Sequence, residues 1–140
     1  MLKQVKLKSF LRTTGGKGLH VVMPLNPPGE WATVKAFAKG VADAMAAAEP
    51  QRFISTSTLK KRERKIFIDY LRNARGATAV ASYSLRARPG APVAFPLAWS
   101  ELDGLKRGDA YTLKNVPALL KGRRDPWAGF DGVKQDLSRL

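Results

Sequence analysis

The feature that most constrains the fold of this chain is a glycine-rich link, Gly15-Gly16-Lys17-Gly18, set between two short β-prone segments at residues 9–13 and 19–25. Glycine accepts the positive φ of a tight reversal at little cost, so the stretch predicts a hairpin. Asn26-Pro27-Pro28-Gly29 then breaks the chain. Over residues 30–48 the apolar side chains Val34, Phe37, Ala38, Val41 and Met45 recur at helical spacing, while Lys35, Lys39 and Asp43 fall elsewhere. That pattern predicts an amphipathic helix ending near Pro50.

Further on, residues 52–55 predict a short strand, and Ile66-Phe67-Ile68 carries the continuous apolar signal of a buried one. Residues 93–97 predict a strand that Pro92 and Pro96 confine to an edge. Residues 98–102 and 116–120 predict short helices. Trp127 and Phe130 anchor a tail over residues 125–140, and Trp31 and Trp99 read as core residues. Strands interrupted by helices imply an α+β domain, and 140 residues suffice for one domain, 1–140, with its own core.

Charge narrows the partners. Twenty-five Lys and Arg against 11 Asp and Glu give a net charge of +14 and a pI near 10.6. Such a field attracts polyanions, nucleic acid above all. The chain has no cysteine, which excludes disulfides and thiolate-bound zinc. No apolar run approaches the roughly 18 residues of a membrane span, and no signal-peptide pattern opens the sequence. The expected location is the cytoplasm, associated with the nucleoid, with no membrane partner.

Several residues carry candidate chemistry. Successive amides of a Gly15-Gly16-Lys17-Gly18 loop form an anion-binding concavity, and Lys17 adds a charge. A Walker A loop is excluded by the spacing and by the strand that follows. A plain hairpin turn is the alternative. His20, the single histidine, follows the loop, where its imidazole is placed to hydrogen-bond a phosphate oxygen. Asp69 follows an apolar strand, where a carboxylate is costly to bury without a partner or a cation such as Mg²⁺ or Mn²⁺; an ion pair with Arg72 or Arg75 is the alternative. Arg86 and Arg88, two apart, share a face if the segment is extended and offer two guanidinium forks to phosphate. The basic run Lys60, Lys61, Arg62 and Arg64 reads as either a weak DNA-backbone contact or a solvated face.

Taken together, these residues resemble one family, the polymerase domain of bacterial ATP-dependent DNA ligase D, within the archaeo-eukaryotic primase superfamily. The resemblance runs through residues 13–20, Ala32-Thr33-Val34-Lys35-Ala36-Phe37, residues 66–73, residues 75–81, residues 86–92, Pro96-Leu97-Ala98-Trp99 and Asp125-Pro126-Trp127-Ala128-Gly129-Phe130. It covers the C-terminal half of that domain. It implies a primase-type palm with a mixed or antiparallel sheet flanked by helices, truncated on its N-terminal side.

The resemblance also assigns roles. Thr14, at a position where serine is usual in the family, would contact the incoming nucleotide's triphosphate with Lys17, His20, Arg86 and Arg88, and Thr78 would lie near the phosphates. Asp69 would be the catalytic, metal-binding carboxylate for Mn²⁺ or Mg²⁺. The family's acidic D-x-D pair has no match in the chain, so metal binding is expected to be weakened and the chain alone inactive as a polymerase. The implied function is nucleotide addition at DNA ends in non-homologous end joining. The alternatives are a non-catalytic DNA- or nucleotide-binding module, or one half of a polymerase completed by another polypeptide. Implied partners are DNA ends or a primer-template, nucleoside triphosphates, the end-joining protein Ku and a ligase domain, with self-association through an exposed sheet edge.

Overall fold

The structure is a computed structural model, and it describes residues 2 and 4–138. The chain is α+β and divides into two compact units, one of residues 25–79 with 136–138 and one of residues 2 and 4–24 with 80–135. Residues 139 and 140 of the predicted tail lie outside the described residues.

The first unit is organised by helix α1, Trp31–Ala48. Val34, Phe37, Ala38, Val41 and Met45 are all half-buried, as their spacing predicts, and Ala42 is fully buried. The helix stops because Glu49 precedes Pro50: its φ of −135° has left the helical region, where proline's ring disfavours the preceding residue. Strand β3, Phe53–Ile54, pairs in parallel with β4, Ile66–Phe67, with Phe53 opposite Ile66 and Ile54 opposite Phe67. The expectation of a buried strand at residues 66–68 is corrected here. Side chains alternate across a strand, and in a sheet of two short strands Ile66 is left 58% exposed. Trp31 is likewise not a core residue, nor is Trp99 of the second unit, which is 43% exposed. Trp31 is the first residue of α1 and is 53% exposed.

Gly40 lies in the middle of α1 on its exposed face, and a Cβ there would meet nothing within 4 Å. Glycine within a helix costs about 0.5–1 kcal/mol relative to alanine. Gly40→Ala is therefore expected to stabilise the chain by about that amount, read as a rise in the midpoint of thermal or urea unfolding.

The second unit is built on a three-stranded antiparallel sheet of order β2-β1-β5, comprising β1, Phe10–Thr13, β2, Leu19–Val22, and β5, Pro96–Leu97. All four residues of β1 are buried. Strand β5 occupies an edge, as Pro96 requires. It is shorter than the predicted 93–97 because residues 92–94 are held in other pairings: Pro92 bridges to Thr112 and Val93 to Leu85, and the Ala94 carbonyl accepts the Tyr83 N–H at 2.7 Å. The core comprises Leu11, Val93, Phe95, Leu97 and Val116, with Leu102, Leu105 and Tyr111 around it. Short helices form where predicted, a 3-10 turn at Trp99–Glu101 and α2 at Val116–Leu120. Trp127 and Phe130 stack at 5.2 Å, and both rings meet Phe10. Trp127 Nε1–H also donates to the Leu11 carbonyl at 2.8 Å, so these aromatics are packing anchors. No described helix is long and apolar enough to cross a membrane.

Candidate functional site

The glycine loop belongs to the second unit and joins β1 to β2. Hairpin register places Thr13 opposite Leu19 and Arg12 opposite His20. Thr13, fully buried, fixes the base of the loop. Its hydroxyl donates to the Val93 carbonyl at 3.2 Å and accepts the Phe95 N–H at 2.9 Å. Gly15 adopts φ +64°, in the region that favours glycine. Thr14 closes the loop on itself: its hydroxyl donates to the Gly18 carbonyl at 2.9 Å and accepts the Gly16 N–H at 3.2 Å, while its own N–H donates to Gly18 O at 3.1 Å. Two of the loop amides are thus taken up in shaping it, and Lys17 stands exposed at its tip.

Arg86 and Arg88 reach this loop, although not as an extended pair. The Arg88 N–H donates to the Arg86 carbonyl at 2.8 Å, a tight turn, so the same-face geometry expected of residues 86–88 does not hold. The turn instead lets each side chain approach the loop separately. Arg86 Nη1 donates to the Thr14 carbonyl at 3.1 Å. Arg88 Nη1 lies 3.5 Å from where a Cβ of Gly16 would stand.

Three contributors are not signalled by local sequence. Gly108 packs directly on the loop: a Cβ there would fall 2.7 Å from Gly16 O and 2.8 Å from Gly18 O. Beside it, Arg107 forms a bidentate pair with Asp109, 2.9 Å for each bond. That pairing holds the Asp109 carboxyl below the usual carboxylate range, and the Arg88 charge adds to the effect. Arg12, only 9% exposed, directs its guanidinium at the Nδ1 of His20, with Nε at 3.4 Å and Nη2 at 3.3 Å. Its Nη1 donates to Ser82 Oγ at 3.3 Å, and burial lowers its pKa. Gly108 is placed by packing between segments distant in sequence, and Arg12 by the register of the hairpin, neither of which periodicity registers.

The remaining candidates lie in the first unit. Asp69 falls beyond β4 and is exposed, so the expectation of a carboxylate buried on an apolar strand is corrected. Its Oδ1 accepts the Leu71 N–H at 3.0 Å, an Asx turn of the kind short acidic side chains favour. None of the ion pairs among the described residues involves it. Arg72 Nη1 donates instead to the Thr78 carbonyl at 3.4 Å, and Thr78 is exposed. Among the described residues no group of three or more His, Cys, Asp or Glu side chains converges to hold a metal. In the basic run, Lys60, Lys61 and Arg64 are exposed, whereas the Arg62 guanidinium covers the Phe67 ring at 3.8 Å, a cation–π contact.

Comparison with known proteins identifies this assembly. The family model described as LigD, primase-polymerase domain, matches residues 1–127. A multifunctional non-homologous end joining protein LigD of Pseudomonas aeruginosa is 42% identical over 140 residues, which is 99% of this chain and 17% of that protein. A bifunctional non-homologous end joining protein LigD of Bacillus subtilis is 28% identical over 97% of the chain and 22% of its own length. Among solved structures, a polymerase domain from Mycobacterium tuberculosis ligase D in complex with DNA superposes with a TM-score of 0.79 at 32% identity, over 94% of this chain and 45% of that one. The chain thus spans under a quarter of the two curated relatives and under half of the solved domain. With an α+β fold, a matching family model and relatives of this identity, the chain belongs to the LigD primase-polymerase domain family.

Proposed function

We propose that this chain is the phosphate-holding part of a primase-type polymerase module that adds nucleotides at DNA ends in non-homologous end joining. The observation that carries the proposal is the shaped loop of residues 14–18, with Arg86 on its carbonyl and Arg88 beside it. Lys17, His20, Arg86 and Arg88 bind the triphosphate of a nucleotide. Thr14 chiefly keeps the loop in shape, because its hydroxyl is committed to Gly18 and Gly16. Thr78, an exposed residue of the first unit, is proposed separately as a phosphate contact on the ground of the family resemblance alone. DNA is the second ligand: the solved relative is a complex with DNA, and a net charge of +14 suits a polyanion. Lys60, Lys61 and Arg64 contribute non-specific backbone contacts, while Arg62 is engaged with Phe67.

The donor set does not fit the two-metal site of phosphoryl transfer, in which several carboxylates bridge ions about 3.5–4 Å apart. Asp69 supplies one exposed carboxylate, already accepting the Leu71 N–H. Asp69 remains the proposed ligand for Mg²⁺ or Mn²⁺, and no catalytic step runs through a metal held by the described residues alone. The chain by itself is therefore expected to bind nucleotide without extending a primer. A second polypeptide supplying acidic side chains is a further proposal, favoured by the edge strand β2, where Leu19 and Val21 are exposed.

Calorimetry with a nucleoside triphosphate, with and without Mn²⁺, tests the proposal. His20→Ala is expected to weaken metal-free binding about tenfold, the loss of one hydrogen bond to a charged group. Asp69→Ala is expected to leave metal-free binding unchanged. No binding by the unaltered chain, or equal binding by His20→Ala, sinks the phosphate assignment.

A further inference from the structure

We infer that Arg12 is a positioning residue for the phosphate site, holding the His20 imidazole in the tautomer whose proton is on Nε2. The inference rests on the proposed function only for its consequence in ligand binding. The tautomer itself follows from contacts within the second unit. Arg12 and His20 are direct cross-strand partners in the β1–β2 hairpin, and such partners share a sheet face. Two guanidinium nitrogens converge on Nδ1, at 3.4 and 3.3 Å. A guanidinium has donors and no acceptor, so Nδ1 must be the acceptor and the ring hydrogen sits on Nε2. Arg12 donated to Nδ1 therefore makes Nε2–H the donor nitrogen, the polarity that an anion requires.

Besides His20, the guanidinium is held by two further contacts. Nη1 bonds Ser82 Oγ at 3.3 Å, and the Trp127 ring lies 5.6 Å from Cζ. Trp127 is held in turn by its bond to the Leu11 carbonyl. None of the ion pairs among the described residues neutralises Arg12. A desolvated cation without a carboxylate is costly, and an arriving anion relieves part of that cost. A side chain serving only to pack this sheet needs no charge, and an aliphatic residue would fill the space.

The chain's single histidine makes the test direct. Ring-¹⁵N-labelled protein contains one imidazole, and at pH about 8.5, well above the ordinary histidine pKa of about 6.5, the nitrogen shifts report the tautomer without ambiguity. The expected spectrum shows Nε2 protonated and Nδ1 bare. The Nδ1–H form in the unaltered protein overturns the inference, whatever any variant does. Arg12→Met is expected to redistribute the tautomers and weaken binding of inorganic tripolyphosphate about tenfold, while Arg12→Lys, which keeps a charged donor, restores both in part. A folded Arg12→Met protein whose tautomer is unchanged overturns the inference. Nε2–H in the unaltered protein without tripolyphosphate binding supports the Arg12–His20 relation and overturns the phosphate-site proposal instead.

Discussion

Gly108→Ala is expected to cost the phosphate loop its shape, lowering tripolyphosphate affinity at least tenfold and stability by about 1–3 kcal/mol, the range for forcing an extra methyl into a packed site. The added Cβ would stand 2.7 Å from Gly16 O, 2.8 Å from Gly18 O and 3.1 Å from Lys17 C. All three are backbone atoms, which no rotamer change can move aside. The Gly18 carbonyl is the acceptor for both the Thr14 hydroxyl and the Thr14 N–H, so displacing it breaks the closure of the loop. Shifting the 107–109 segment instead would move the Arg107–Asp109 pair away from the Arg88 charge that acts on it. Gly104→Ala is the matched control, because its Cβ would meet only Glu101 O at an ordinary 3.8 Å. Paired urea unfolding and calorimetry on the two variants check this. Unchanged affinity in Gly108→Ala would show that the loop tolerates displacement and that its detailed shape does not govern anion binding.

What the sequence discloses and what it conceals divide along a physical line. Helix α1 is legible because its apolar stripe and Pro50 are local, and α2 coincides with the predicted 116–120. The hairpin is legible because glycines at a reversal have few other uses. The burial of Asp69 is not legible, because an apolar run does not by itself imply a covered strand. Burial depends on how many strands and layers lie over that run, and here only β3 pairs with β4. Arg86 and Arg88 are grouped with the loop by the family resemblance and do lie against it, but the shared face expected from their spacing fails, since a turn at residues 86–88 replaces the extended segment. Arg12 looks like any basic residue on a strand until the register sets it opposite His20. Gly108 is one of 12 glycines until the loop carbonyls are seen against it. Contacts between segments some 90 residues apart leave no trace in local pattern.

The largest stability loss is expected from Phe95→Ala, about 3–5 kcal/mol, the range for removing a buried aromatic ring. Phe95 is 0% exposed. Its ring stacks on Tyr111 at 4.3 Å, takes Tyr83 edge-on at 5.9 Å and lies 4.7 Å from the Arg123 guanidinium. Arg123 is itself tied to Glu101 at 2.7 Å and to the Pro96 carbonyl at 3.0 Å, so the cavity would be lined by groups that cannot collapse freely into it. Domains are stable by only about 5–15 kcal/mol in total, so a loss of this size removes a large share of the margin. The consequence reaches the phosphate loop through the backbone. The Phe95 N–H donates to the Thr13 hydroxyl and its carbonyl accepts the Thr13 N–H, both at 2.9 Å, and Thr13 directly precedes the loop. Phe95→Leu, which keeps most of the volume, is expected to lose less than half as much stability and to retain tripolyphosphate binding at low temperature. Urea unfolding of the two variants checks the order. If Phe95→Ala cost less than about 1 kcal/mol, well below the range for a buried ring, the second unit would not depend on this core, and the anchoring of Thr13 at the base of the loop would need another source.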